Sequence, residues 1–199
     1  MKVISFEGFE YSGKSTQIKL LKKYFIKNKI KSTFTREPGG NKDLEKIRNI
    51  IIKSNFDNLS LIMFFFASRF SLLSSIKNND LIVFDRFFDS TYAYQKHNLK
   101  EKKLIISLIN LIDQKFIPNI TFYLKLDKKN LIERKNKRVY SNKFDKKYFG
   151  QFSRIQKNYN EISKMKIGKR KFVTIDASLS ANEIHEKIIV HLKKCKLIR

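Results

Sequence analysis

Apolar residues follow two rhythms along this chain. Short, nearly unbroken runs occur at "KVISFE" (2–7), "KSTFT" (31–35), "DLIVFD" (80–85), "NITFYLKL" (119–126) and "KFVTID" (171–176). They are β-branched or aromatic and too short for helices, which predicts strands buried on both faces. Between them, apolar positions recur three or four residues apart. In "KSTQIKLLKKYFIK", for example, Ile18, Leu21 and Phe25 share one helical face. The stretch "NLSLIMFFFASRFSLL" (58–73) is apolar on nearly all sides and predicts a core or interface helix. Strands alternating with helices predict an α/β, three-layer fold around a parallel sheet of about five strands. No repeat or low-complexity linker divides the 199 residues, so one domain, 1–199, is expected.

In such folds ligands bind beyond the carboxyl ends of the strands, and the polar motifs fall there. After the first strand, "GFEYSGKST" sets Gly8, Gly13, Lys14 and Ser15 at the spacing G-x-x-x-x-G-K-[ST]. Between a strand and a helix, such a loop wraps a phosphate in backbone N–H groups. Its lysine reaches the β/γ-phosphates and its hydroxyl meets Mg²⁺. The helix N-terminus adds its dipole. Gly8 to Thr16 therefore read as a nucleoside triphosphate site.

After the third strand, "VFDRF" offers Asp85 to the water shell of Mg²⁺ and Arg86 to a phosphate, or else a plain surface ion pair. "REPGG" holds Arg36 and Glu37 on a loop stiffened by Pro38, though alone it reads equally as a connecting turn. Phe65 and Arg69, four apart, share a face that suits stacking on a base and bonding its edge. By itself, however, Phe65 reads as core.

Composition adds a large positive charge, +25 from 43 Lys and Arg against 18 Asp and Glu. That suits nucleic acid or a small polyanion. The lysines are scattered among Asn, Ile and Phe, as a compositional drift toward AT-rich codons would leave them. No arginine-aromatic or zinc spacing accompanies them, so no dedicated nucleic-acid partner is expected. The longest apolar run, "LIMFFFA" (61–67), is far below the ~20 residues of a membrane span, so no membrane is expected. Glu7 interrupts the first apolar run, unlike a signal-peptide core. Cys195 is the only cysteine, which agrees with a reducing, cytoplasmic setting.

Taken in order, "FEGFEYSGKSTQ", "TREPGG", "LEKIRNIII", "FFFASR", "DRFFDSTYAYQ" and "PNITFYLKL" resemble bacterial thymidylate kinases over essentially the whole chain. The resemblance implies phosphoryl transfer from MgATP to dTMP in a cytoplasmic homodimer. It implies ATP contacts from Gly8, Phe9, Glu10, Tyr11, Ser12, Gly13, Lys14, Ser15 and Thr16, with Ser15 on Mg²⁺ and Asp85 reaching the metal through water. Glu10 would face the deoxyribose 3′-hydroxyl. Phe65 would stack on thymine and Arg69 would bond its edge, beside Ser90, Thr91 and Gln95. Arg36, Arg48 and Arg86 would surround the acceptor phosphate, Glu37 would lie near metal and water, and Tyr94 would close over the sugar.

A short lid, about residues 134–148, would follow the fourth strand. Its Arg134 and Arg138 would join Lys14 and Arg86 as catalytic cations, because the P-loop itself carries no arginine. The lesser alternative for these two lid arginines is a solvated basic helix face. The chain departs from the family at Lys143 (usually arginine), Asn41 (usually threonine) and Lys96 (usually glycine), and through a short 70–80 segment. The competing expectations are a kinase of another nucleoside monophosphate or of a deoxynucleoside, and an ATP-dependent nucleic-acid-binding switch.

Overall fold

The computed structural model describes residues 1–77, 81–137 and 148–198. Strand β1 (Lys2–Glu7) leads through the glycine loop into α1 (Lys14–Lys27). Then come β2 (Thr33–Arg36), α2 (Lys42–Lys53), α3 (Asn58–Ser75), β3 (Leu81–Asp85), α4 (Phe88–Gln95) and α5 (Leu99–Asn110). After a 3₁₀ turn at Gln114–Phe116 follow β4 (Ile120–Lys125), α6 (Lys128–Asn136), α7 (Phe152–Ser163), β5 (Lys171–Asp176) and α8 (Ala181–Lys194). The lid residues Arg138, Lys143 and Asp145 lie outside the described residues, as does most of the 134–148 lid.

The strands form one five-stranded sheet in the order β2-β3-β1-β4-β5, and every pairing is parallel. Cover on both faces explains the apolar runs of the central strands β1, β3 and β4, whereas the edge strands β2 and β5 are partly exposed, contrary to the expectation for all five. Along β3, Leu81 and Val83 point into one core with Phe6, Phe25, Phe122, Tyr159 and Ile188. Ile82 and Phe84 point into the other, with Leu44, Phe66, Phe88 and Ile105. The period of two thus divides β3 between two helical layers.

The helix starts carry local signals. Asn41, where the family usually has threonine, caps α2 by accepting from Leu44 N–H at 2.9 Å, a role asparagine fills at least as well. Asn98 with Glu101 and Ser180 with Glu183 form capping boxes on α5 and α8.

Helix α3 bears on the expectation of no membrane span. The apolar run seen there was too short to span. Over its 18 residues, however, α3 has a mean hydropathy of 1.3, enough by length and composition to cross a membrane. Here it packs as a core helix, burying Leu61, Ile62, Phe66, Leu72 and Leu73, with the charged Arg69 among them.

Parallel register brings the polar motifs together. Asp85 on β3 stands opposite Phe6 on one side and Arg36 on the other. The loops leaving β1, β2 and β3 therefore emerge side by side at one edge of the sheet.

Candidate active site

The loop after β1 needs glycine where the chain turns. Gly8 has φ +149, and a Cβ there would meet Ser12 Oγ at 2.6 Å and Leu124 O at 2.7 Å. Gly13 opens α1 at φ +91. Lys14 is buried inside this ring, where its Nζ donates to Gly8 O and Phe9 O, each at 3.0 Å. Burial, then repulsion from Arg86, pushes its ammonium down to about 8. The loop carbonyls that hold it here are interactions an anionic phosphate would replace.

One cavity joins the loop to the other strand ends. Glu10, Tyr11, Gly13, Lys14, Ser15, Thr16, Arg36, Glu37, Arg48, Asp85 and Arg86 line it. Ser15 and Asp85 offer a hydroxyl and a carboxylate to this space, while no group of three or more His, Cys, Asp or Glu ligands forms among the described residues. An oxygen-only, incomplete donor set suits Mg²⁺ that arrives with phosphates rather than a caged metal. Phe9 and Ser12 are buried, and the Phe9 ring stacks on Tyr94 at 6.0 Å, so Phe9 faces the core.

A second cavity, about 820 Å³ including its open mouth, shares the lining residues Glu10, Glu37, Arg48 and Arg86 with the first. Phe65, Arg69, Ser90, Thr91, Tyr94 and Gln95 line its far end. That size and mixture of apolar walls with few polar groups suit a small ligand. At its floor, Arg69 donates through Nε to Glu37 Oε2 at 2.7 Å and through Nη2 to Thr91 Oγ1 at 3.0 Å. Arg69 Nη1 and Glu37 Oε1 are buried without partners, the situation a polar ligand edge would relieve. Burial lifts the Glu37 carboxyl to about 7 against the pull of Arg69.

Nearer the loop, Arg86 reaches Gly8 O, Ser90 Oγ and Glu10. Burial opposes the Glu10 charge, but Arg86 and then Lys14 outweigh it and hold the carboxyl at about 2. Arg36 is engaged by Glu45, through Nε at 2.9 Å and Nη2 at 2.6 Å. Arg48 donates to Pro38 O at 3.0 Å.

Arg134 lines neither cavity and donates to Tyr11 O at 3.1 Å and to Ala177 O. The structure thus sets it over the outer edge of the glycine loop.

Two residues at the site, Tyr148 and Glu45, escaped the sequence reading. Tyr148 lines the second cavity, accepts from Gln95 Nε2 at 2.9 Å and meets the Tyr94 ring edge-on at 5.1 Å. It stands in a lysine-rich stretch whose spacing carries no signal. Glu45 organises the "REPGG" turn, because it also accepts from Gly40 N–H at 3.1 Å. Its place three residues before Arg48 was the available clue. Lys96, in place of the usual glycine, bonds Glu161 at 2.8 Å and so ties α4 to α7.

Comparison with known proteins agrees with this geometry. The sequence model of the family described as "Thymidylate kinase" matches residues 6–188. The thymidylate kinase of Chlorobium limicola is 34% identical, with 96% of this chain and 94% of that protein covered. That of Rickettsia typhi is also 34% identical, over 96% of this chain and 97% of its own. Among solved structures, the thymidylate kinase of Ehrlichia chaffeensis superposes with a TM-score of 0.72 at 28% identity, covering 96% of this chain and 98% of the other. By its sequence and by the arrangement of its sheet, this chain belongs to the thymidylate kinase family.

Proposed function

We propose that this chain transfers the γ-phosphate of ATP to dTMP, giving dTDP and ADP. One observation carries the reading. Two adjoining cavities share Arg48 and Arg86: the glycine loop and Arg36 line one, and Phe65 with the unsatisfied Arg69 lines the other. That sequence of groups matches a donor phosphate, an acceptor phosphate and a base.

In this reading Gly8 to Thr16 hold ATP, with Lys14 on its phosphates. Phe65 stacks on thymine, and Arg69 with Thr91 and Gln95 reads its edge. Tyr94 and Glu10 frame the sugar, while Glu37 stiffens the floor. Arg86, Arg36 and Arg48 neutralise the acceptor phosphate, and Arg134 and Arg138 complete the charge around the transferred group. The acceptor phosphate oxygen is itself the nucleophile, so positioning and charge neutralisation do most of the work. Ser15, and Asp85 through water, would hold Mg²⁺, which when bound neutralises charge shared by the phosphates.

The chain acts as one domain in a cytoplasmic homodimer. Leu59 and Met63, 56% and 50% exposed on α3, give a second copy an apolar face to cover. The reading requires neither a membrane nor a nucleic-acid partner.

ADP release measured across a panel of nucleoside monophosphates tests the proposal. Turnover dependent on dTMP, with dUMP weaker and dCMP, dGMP and dAMP far behind, is the expected outcome. Equal turnover of dCMP and dTMP would overturn the base assignment. Hydrolysis stimulated by DNA instead of dTMP would favour a nucleic-acid-dependent ATPase.

A further inference from the structure

Glu7, the last residue of β1, is wholly buried and has no contact role in the function proposed above. A carboxyl at such a depth is costly unless it is fully bonded, and here it gathers three groups. Its Oε1 accepts from Phe87 N–H at 2.7 Å, and its Oε2 accepts from Ser90 Oγ at 2.5 Å and from the Tyr159 hydroxyl at 3.2 Å. Tyr159 in turn stacks on Tyr123 at 4.6 Å, which anchors that end of the network in the core.

All these bonds surround Arg86. That residue has φ +69, in the left-handed region, which a residue with a side chain occupies only where its surroundings hold it. The surroundings are visible. Arg86 N–H donates to Phe6 O at 3.0 Å, and the next N–H, of Phe87, donates to Glu7. Two adjacent residues of β1 therefore hold the amides on either side of the turned Cα. The side chain is fixed by the same carboxyl at one remove. Ser90 gives its proton to Glu7, which leaves its oxygen lone pairs to accept from Arg86 Nη1 at 3.0 Å. Arg86 Nη1 also reaches Gly8 O at 3.1 Å, so the guanidinium is aimed back over the glycine loop.

We infer that Glu7 is a positioning residue for Arg86. It sets the turned backbone directly and the guanidinium through Ser90. It touches no substrate, and Ser90 acts here as the relay rather than as a substrate contact. The inference rests on the reading of Arg86 as the group that binds the acceptor phosphate.

A double-mutant cycle tests it. Glu7→Gln keeps the volume and one carbonyl oxygen for Phe87 N–H, but it turns an amide NH₂ toward Ser90 and Tyr159. The expected result is a loss of about 10- to 100-fold in kcat/KM for dTMP, the scale of a small misplacement of a catalytic group, with the KM for ATP unchanged. In an Arg86→Lys background, Glu7→Gln should cost nothing further, because residues acting as a unit are not additive. The same loss in both backgrounds would show that Glu7 only supports the fold, and would overturn the inference. If Glu7→Gln does not fold, Ser90→Ala in the same two backgrounds gives the same decision. Wild-type turnover with dTMP, measured first, separates this question from the proposed reaction. Should that turnover be absent, the crystal structure of Glu7→Gln still decides. A displaced Arg86 guanidinium supports the inference, and one unmoved from Gly8 O overturns it.

Discussion

Arg69 and Glu37 form an ion pair of 2.7 Å in which the two side chains are only 2% and 5% exposed. The pair joins the middle of α3 to the turn after β2, so one interaction serves both the core and the floor of the cleft. Its burial sets it apart from the Arg36–Glu45 pair, whose side chains are 54% and 33% exposed. The exposed pair is screened by water and worth about 0–1 kcal/mol. Removing one partner of the buried pair leaves an uncompensated group, at a cost of about 3–5 kcal/mol. Arg69→Ala is therefore expected to lose about that much stability in urea unfolding, together with binding of dTMP. Wild-type stability of Arg69→Ala would show that the pair does not support the fold.

Lys14 leads to the opposite expectation. Its side chain lies among loop carbonyls rather than in an apolar core, so its loss opens no packed layer. Lys14→Ala should keep the folded circular dichroism signal while kcat falls by about 10²-fold or more, the scale of losing one charge-stabilising donor. Unchanged turnover with dTMP would remove the glycine loop from the phosphate chemistry.

The "REPGG" turn closes around a carboxylate. At Gly39, φ is +126, and a Cβ would collide with the side chain of Glu45, which itself grips Arg36. Gly39→Ala should therefore act through Arg36, raising the KM for dTMP by about tenfold, equivalent to ~1.4 kcal/mol. The KM for ATP should stay unchanged. Equal effects on both substrates would indicate a general loss of structure instead.

Glu161 predicts an acid limb of stability. Burial opposes its charge, but bonds from Lys102 and Lys96 prevail and hold the carboxyl at about 2, against an ordinary 4.5. The folded state thus binds this proton less readily than the unfolded chain. The stabilisation is complete above about 4.5 and is lost as pH falls through about 2. The site is partly solvated, so Glu161→Gln should cost about 1 kcal/mol at neutral pH, nearer the exposed-pair scale than the full shift. The variant should differ less from wild type as the pH drops. A difference that stays constant from pH 7 to pH 2 would refute the assignment.

Much of this protein was legible in the linear sequence because its signals are local. The central strands were readable from short apolar runs, since a strand covered on both faces needs no polar alternation. The glycine loop was readable because a turn at positive φ beside a helix start demands particular residues within a few positions. The contents of the cleft rested on motif order, and the contacts that hold it together were not readable. Glu7 appeared only as an oddity in an apolar run, because its partners Ser90 and Tyr159 lie 83 and 152 residues away. The Tyr148–Gln95 contact and the Lys96–Glu161 tie were hidden for the same reason, as spacing along the chain carries no trace of a side chain brought in by another element. Helix α3 marks the boundary most clearly. Its composition is apolar all round, and only packing against the sheet decided which residues form core and that Arg69 lies buried beside Glu37. Periodicity and turn chemistry act over a few residues and can be read in order, whereas pairing across the fold exists only once the parallel sheet has brought its strand ends together.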